Sequence, residues 1–343
     1  MDNSSSIPLP LGKLPPELLA KLLARAPLRD PRVLVGPGLG LDCAVIDLGE
    51  RLLVLKSDPI TFLTEQAGWY LVHVNANDIA CTGATPRWLL LTLLLPEGRA
   101  TETAVRAVFQ DVFDACEEAG ISVIGGHTEI THGLDRTILS GTLIGEVARE
   151  RLVTPRGACP GDRILVTKGV PIEGTAILAR EFRGKLDDVL SEAELQRAAG
   201  FLYDPGISIL RDARLATNGG KVTAMHDPTE GGLSSAVCEL AVASGTSVAI
   251  DREAVPVPEL SSRICAALGL DPLATIASGA LLLTAPAPDA HTIQSELQAE
   301  GIRCAEIGYV EQGAPAVWLE TPEGREALPW PVRDEIARLF EKR

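Results

Sequence analysis

One stretch, residues 221–244, KVTAMHDPTEGGLSSAVCELAVAS, limits what this chain can fold into more than any other. Residues 222–225 read as a short β-type run, and Val237, Leu240, Ala241 and Ser244 return on one face at helical spacing. Between them Pro228 removes an amide and fixes φ, while Gly231 and Gly232 permit backbone angles closed to other residues. A strand thus passes through a tight loop to a helix N-terminus whose unpaired N–H groups point outward. Such a corner suits an anion, usually phosphate. Asp227 and Glu230 beside it would repel phosphate unless a cation stood between, which hints at magnesium. A plain glycine turn with Thr229 as the helix cap fits the same residues, and only the other acidic motifs of the chain weigh against it.

With 343 residues the chain exceeds the usual size of a single core, so two domains are expected. Hydrophobic residues at 46% with aromatics at 4% imply an ordinary globular protein with an aliphatic core. A net charge of −15, without clustered Lys and Arg, excludes a sequence-independent nucleic-acid binder. The start shows no basic segment followed by an apolar one, and the apolar runs at 88–96 and 274–286 are too short or too interrupted to cross a bilayer. A cytoplasmic protein with no membrane span is expected. Seven cysteines lie scattered without a C-x-x-C pair, which fits reduced thiols rather than a zinc site or a disulfide framework.

Along the chain, residues 1–30 read as an N-terminal extension, 31–155 as one domain and 156–343 as a second. In the first, a strand at 52–57 is expected to end at Asp58-Pro59, leaving a carboxylate at a strand terminus. A helical pattern over 65–83 carries Asn75, Asn77 and Asp78 in its interior, where small polar residues are unfavourable without a reason. The run 88–95 reads as a strand buried on both faces. A helix over 101–119 closes at Gly120, a strand at 121–124 ends in Gly125-Gly126-His127-Thr128-Glu129, and 137–147 is a long strand. In the second, strands are expected at 162–167, 247–250, 281–284 and 316–319. Helices are expected at 174–183, 191–202 with a Ser191/Glu194 capping box, 208–216, 259–268, 289–300 and 331–341. The elements alternate without strict βαβ order, so the class is α+β.

Asp42, Asp58, the Asn77-Asp78 pair and Asp227 recur at strand ends, glycine loops or within a helix. Oxygen ligands of this kind suit Mg²⁺, which is completed by substrate phosphates, and so point to a nucleoside triphosphate. No Walker loop and no G-x-G-x-x-G opening a helix after a strand is present. The ordered set GLGLDCAVI, LKSDP, NANDIACTGATP, GGHTEIT, GTLIGEV, GDRILVTKG and HDPTEGGL resembles the superfamily of aminoimidazole ribonucleotide (AIR) synthase. Its members include thiamine-monophosphate kinase, selenophosphate synthetase and the hydrogenase expression/formation protein HypE. The resemblance runs over residues 33–285, and the DPTEGG loop and ASGALLL segment are most similar to the HypE-like, AIR-synthase-related branch.

The resemblance implies a two-domain AIR-synthase-like fold, with an N-terminal sheet domain that pairs with its twin as a dimeric barrel and a C-terminal α/β domain. It implies a homodimer that binds ATP and Mg²⁺ and phosphorylates an acceptor it does not name. Carried over by position, Gly38 and Gly40 close over the nucleotide, Asp42, Asp58 and Asp78 hold metal, and Asn77 orients them. Gly125, Gly126 and Thr128 approach the phosphates, as do Thr229, Gly231 and Gly232, while His127 and Asp227 take catalytic places. The chain departs from the family at Leu41, where a second aspartate is usual, at His127, where an acid is common, and in ending without the cysteine tail of HypE. These departures keep two alternatives open, a non-catalytic nucleotide-binding maturation or scaffold protein and a thiamine-monophosphate kinase.

Overall fold

The computed structural model describes residues 14–61, 65–322 and 324–340, which form two units, each built on one sheet. The first unit runs α1 (Pro16–Leu23), β1 (Val33–Val35), β2 (Ala44–Asp47), β3 (Leu52–Ile60), α2 (Ala67–Ala80), β4 (Thr85–Pro96), α3 (Glu102–Ala119), β5 (Ser122–Thr131) and β6 (Ile138–Val147). Its strand order is β1-β2-β3-β6-β4-β5, antiparallel except for β4 and β5, which α3 joins as a parallel pair. Thr101 caps α3 by accepting from Ala104 N–H, and Gly120 ends it in the left-handed conformation.

The expectation that the 88–95 strand is buried on both faces is corrected. In β4 only Leu89, Leu91, Leu93 and Leu95 enter the core, beneath α2 and α3, while Leu90 on the other face is 37% exposed. Period-2 alternation is the reason: the helices cover one face of the sheet and leave the other open. The edge strand β5 is exposed along nearly its whole length, with Ile124 at 54% and Ile130 at 62%.

Two strand ends also differ from expectation. Asp58 and Pro59 lie inside β3, paired with Gly141 and Ser140 of β6. Pro59 is tolerated because β2 pairs with β3 only as far as Leu55, so the far half of β3 has one partner and needs no second ladder of N–H groups. Gly125 through Glu129 continue β5 instead of ending it, because the register shift between Val123 and Gly125 inserts a bulge there. Gly126 has φ 145°, and a Cβ on it would lie 1.8 Å from the Leu91 carbonyl oxygen.

The second unit runs β7 (Arg163–Thr167), α4 (Ile172–Glu181), α5 (Glu192–Ala199), α6 (Leu210–Gly219), β8 (Ala224–His226), α7 (Gly232–Ser244), β9 (Ser247–Asp251), α8 (Glu259–Leu268), β10 (Leu282–Ala285), α9 (Ala287–Ala299), β11 (Cys304–Glu311), β12 (Ala316–Thr321), β13 (Gly324–Ala327) and α10 (Ala337–Phe340). Its sheet is ordered β13-β12-β9-β11-β7-β10-β8. The Ser191/Glu194 capping box forms on α5 as expected. Strands β11 and β13 escape the sequence pattern: charged Glu306 and Gly308 interrupt β11, where the register shifts, and β13 is an exposed edge. Of the helix expected over 331–341 only Ala337–Phe340 is helical, and Glu341 lies outside the described residues. The stretch before it turns because Asp334 is drawn to backbone N–H groups.

Candidate functional site

Four segments meet where the two units touch. On β3 the residues Leu52, Val54, Lys56 and Asp58 share one face. The first two enter the core, and the face carries the last two on to the end of the sheet beside α2. Asp42 precedes β2, Asp78 sits one turn from the end of α2, and Asp227 follows β8 of the second unit. The Lys56 ammonium ties three of these together, 3.1 Å from Asp78 Oδ2, 3.3 Å from Asp58 Oδ2 and 3.9 Å from Asp42 Oδ1. His226 Nδ1 lies 3.3 Å from Asp42 Oδ2 and 3.9 Å from Asp227 Oδ1, and its Nε2 meets Glu239 of α7 at 2.6 Å.

Water reaches the outer part of this cluster, where the Asp42 and Asp58 side chains are 32% and 36% exposed, but not its inner part. Asp227 and Asp78 are buried, and Cys43, Cys81, Thr82 and Met225 line the cavity around Asp42 and Asp78. Burial pushes the Asp78 carboxyl up to about 7 against the pull of Lys56, and burial followed by the charges of Asp78 and Asp42 raises Asp227 well above the carboxylate range. Burial works against the Lys56 ammonium, but Asp78, Asp42 and Asp58 outweigh it and hold the lysine well above its ordinary value.

A cation fits here on the chemistry of the donors. Ligand atoms of Asp42, His226 and Asp227 lie within 4.8 Å of one another, Asp227 Oδ2 has no hydrogen-bond partner among the described residues, and an ammonium already sits among the other carboxylates. Glu239 behind His226 is the kind of outer partner that orients an imidazole ligand. Sequence reasoning passed over Lys56 and His226, although both lie in the motifs it used, LKSDP and HDPTEGG.

The other expected residues are distributed differently. Gly40, at φ 67°, brings its Cα against α7, where a Cβ would meet the Glu239 carbonyl oxygen at 2.8 Å, and Gly38 bridges to Leu41 in the same turn. These glycines let the chain deliver Asp42 to His226. Asn77 reaches to the second unit: its Nδ2 donates to Ile207 O at 2.8 Å and its Oδ1 accepts from Ile209 N–H at 2.9 Å. Gly125, Gly126, His127 and Thr128 lie on β5, three strand spacings from β3 and so roughly 14 Å away within one protomer. His127 is 65% exposed and meets Glu129 at 3.2 Å.

The corner at α7 also departs from expectation. The helix is capped by Gly231 and not by the Thr229 side chain. Gly231 N–H donates to Asp334 Oδ2 at 2.6 Å, and Gly232 N–H donates to Thr229 O. The anion at this helix N-terminus is the chain's own carboxylate, which burial pushes up to about 6 against its backbone hydrogen bonds. A Cβ on Gly232 would meet the carbonyl oxygens of Thr275 and Leu273 at 2.5 and 2.6 Å, which explains that glycine by packing alone.

Fold and site together define a two-domain α+β protein with an acidic cleft that draws carboxylates from both halves. Residues 40–147 match the N-terminal domain and residues 159–319 the C-terminal domain of the AIR synthase related proteins, and the chain belongs to that family. It is 30% identical over 318 residues to a putative hydrogenase expression/formation protein of Methanocaldococcus jannaschii, covering 89% of this chain and 91% of that one. It is 31% identical over 313 residues to the carbamoyl dehydratase HypE of Azotobacter vinelandii, covering 87% of each. Among solved structures, hydrogenase maturation protein HypE in complex with ATP superimposes with a TM-score of 0.66 at 26% identity, covering 91% of this chain and 89% of that one. A ThiL complexed with AMPPCP and TMP shares the fold, with a TM-score of 0.69 at 22% identity over 91% of this chain and 94% of that one. Among the described residues no helix is long and apolar enough to cross a membrane.

Proposed function

We propose that this protein is a Mg²⁺- and ATP-dependent enzyme of HypE-like type that phosphorylates an acceptor in hydrogenase maturation. The observation that carries it is the convergence of Asp42, Asp58, Asp78 and Asp227 from four segments of two units on one cleft, with Asp78 and Asp227 buried at its inner end. The HypE–ATP complex and the names of the relatives support the nucleotide and the pathway.

In this reading Asp42, Asp58 and Asp78 hold the metal, with Asp227 and His226 adjoining. The metal supplies charge neutralisation to the triphosphate, which is most of what phosphoryl transfer asks of a protein. Asp227, fully buried, would take the catalytic place beside the phosphates. His127, Gly125, Gly126 and Thr128 serve the cleft of a second copy, since they are remote from their own. The open sheet face carrying Leu90, together with the exposed edge strand β5 and its Ile124 and Ile130, supports the homodimer this requires.

Calorimetric titration with AMPPCP, with and without Mg²⁺, tests the proposal. Micromolar binding that needs Mg²⁺ is expected, and no heat at millimolar analogue overturns it. The non-catalytic alternative draws on one observation, that the Gly231 and Gly232 amides are already used within the chain. If nucleotide binds but neither phosphate nor ADP is released with any candidate acceptor, and Leu41→Asp restores turnover, that alternative replaces the first.

A further inference from the structure

We propose that Lys56 is the resident cation of the carboxylate cluster and that it exchanges with a divalent ion when nucleotide binds. This rests on the ATP-dependent function proposed above. The lysine side chain is 12% exposed, and its ammonium lies within 4.0 Å of three carboxylates from three different segments, Asp42, Asp58 and Asp78. His226 meets the other carboxylate oxygen of Asp42, at 3.3 Å.

An ammonium and a divalent ion cannot share the same oxygens at ion-pair distance without strong repulsion, least of all at a carboxylate as buried as Asp78. One of them must give way. The lysine stem is flexible and its ammonium carries three rotatable donors, so it can turn to phosphate oxygens once a nucleotide supplies them. Asp227 indicates that the cleft has capacity for a further cation: it is fully buried, and its Oδ2 has no hydrogen-bond partner among the described residues. Lys56 therefore keeps the cluster assembled while the cleft is empty and weakens metal binding there. Nucleotide relieves that competition, so nucleotide and metal favour each other through this side chain.

The test is a Mn²⁺ titration of the full chain followed by electron paramagnetic resonance, first without nucleotide. Lys56→Gln should bind Mn²⁺ at least tenfold more tightly than the unsubstituted protein, and Lys56→Arg, which keeps the charge, should not. Equal or weaker binding by Lys56→Gln overturns the proposal. Should that variant be too unstable to titrate, the Mn²⁺-dependent rise in its melting temperature takes the place of the titration and must exceed that of the unsubstituted protein.

The second arm adds AMPPCP, with its own Mn²⁺ binding in buffer subtracted. Nucleotide should raise Mn²⁺ affinity by a larger factor in the unsubstituted protein than in Lys56→Gln, and equal factors overturn the exchange. If the unsubstituted protein binds no AMPPCP, the proposed function fails, while the nucleotide-free comparison still decides whether Lys56 holds the cluster against metal.

Discussion

Replacing Asn77 by alanine distinguishes a clamp from a nucleotide ligand. Asn77 is fully buried on α2, and its amide spans the backbone of the second unit between Ile207 and Ile209, both fully buried as well. Truncation leaves one N–H and one C=O without partners, and each buried orphan costs about 1–3 kcal/mol. Because the flanking isoleucines keep water away, the two add to about 4 kcal/mol, a large part of the stability of an ordinary domain. Asn77→Asp adds a check on sign. Its carboxylate can accept from Ile209 N–H but turns its other oxygen on the Ile207 carbonyl, so the acid is favoured and its pKa is raised in the folded state. That variant should be more stable at pH 5 than at pH 8. Urea unfolding at both pH values, with AMPPCP titration alongside, gives the answer. If Asn77→Ala unfolds within 1 kcal/mol of the unsubstituted protein yet loses nucleotide, the clamp is refuted.

Glu173, buried on α4, offers a second pH dependence. Burial raises its carboxyl to about 7, the Ser278 hydrogen bonds opposing and Asp334 assisting. A raised acid binds its proton more tightly folded than unfolded, so its contribution is present below the unfolded value near pH 4.5 and is lost as pH rises through about 7. The loss is about 3 kcal/mol across that window, and Glu173→Gln should flatten the slope seen in urea unfolding. Gly126→Ala should cost roughly 2–4 kcal/mol through its positive φ and the Leu91 carbonyl, read by thermal melting, and an unchanged melting temperature would remove the bulge argument. Ile124→Glu with Ile130→Glu should give a monomer by light scattering with its own melting transition retained, whereas a dimer of unchanged mass would count against pairing through the β5 edge.

The sequence disclosed what local spacing controls. The strand, loop and helix around HDPTEGG, the Gly120 stop and the Ser191/Glu194 box all depend on residues within a turn or two of each other. Partners far along the chain were hidden. Asp334 reaches Gly231 across more than a hundred residues, and nothing near either residue announces the other. Lys56 in LKSDP carries no local sign that its face of β3 bends into a cleft, since a lysine in a strand ordinarily faces solvent. Edge status was equally hidden: whether β3 tolerates Pro59, or β5 lies open, depends on which strands pair with them and how far.

The three small polar residues in α2 show how docking and chemistry are coupled in this fold. Turning by about 100° per residue, they address three different neighbours. Asn75 accepts from Asp58 N–H at 3.0 Å, Asn77 grips the 207–209 backbone, and Asp78 meets Lys56. One rigid helix thereby fixes the end of β3, the position of the second unit and a carboxylate of the cleft. A shift at the 207–209 clamp cannot be absorbed locally, because α2 is buried along most of its length and moves as a body. It must displace Asp78 relative to Asp58 and Lys56. Substitutions at Asn77 should therefore weaken Mn²⁺ binding at the cluster, although Asn77 itself touches none of the cluster's carboxylates.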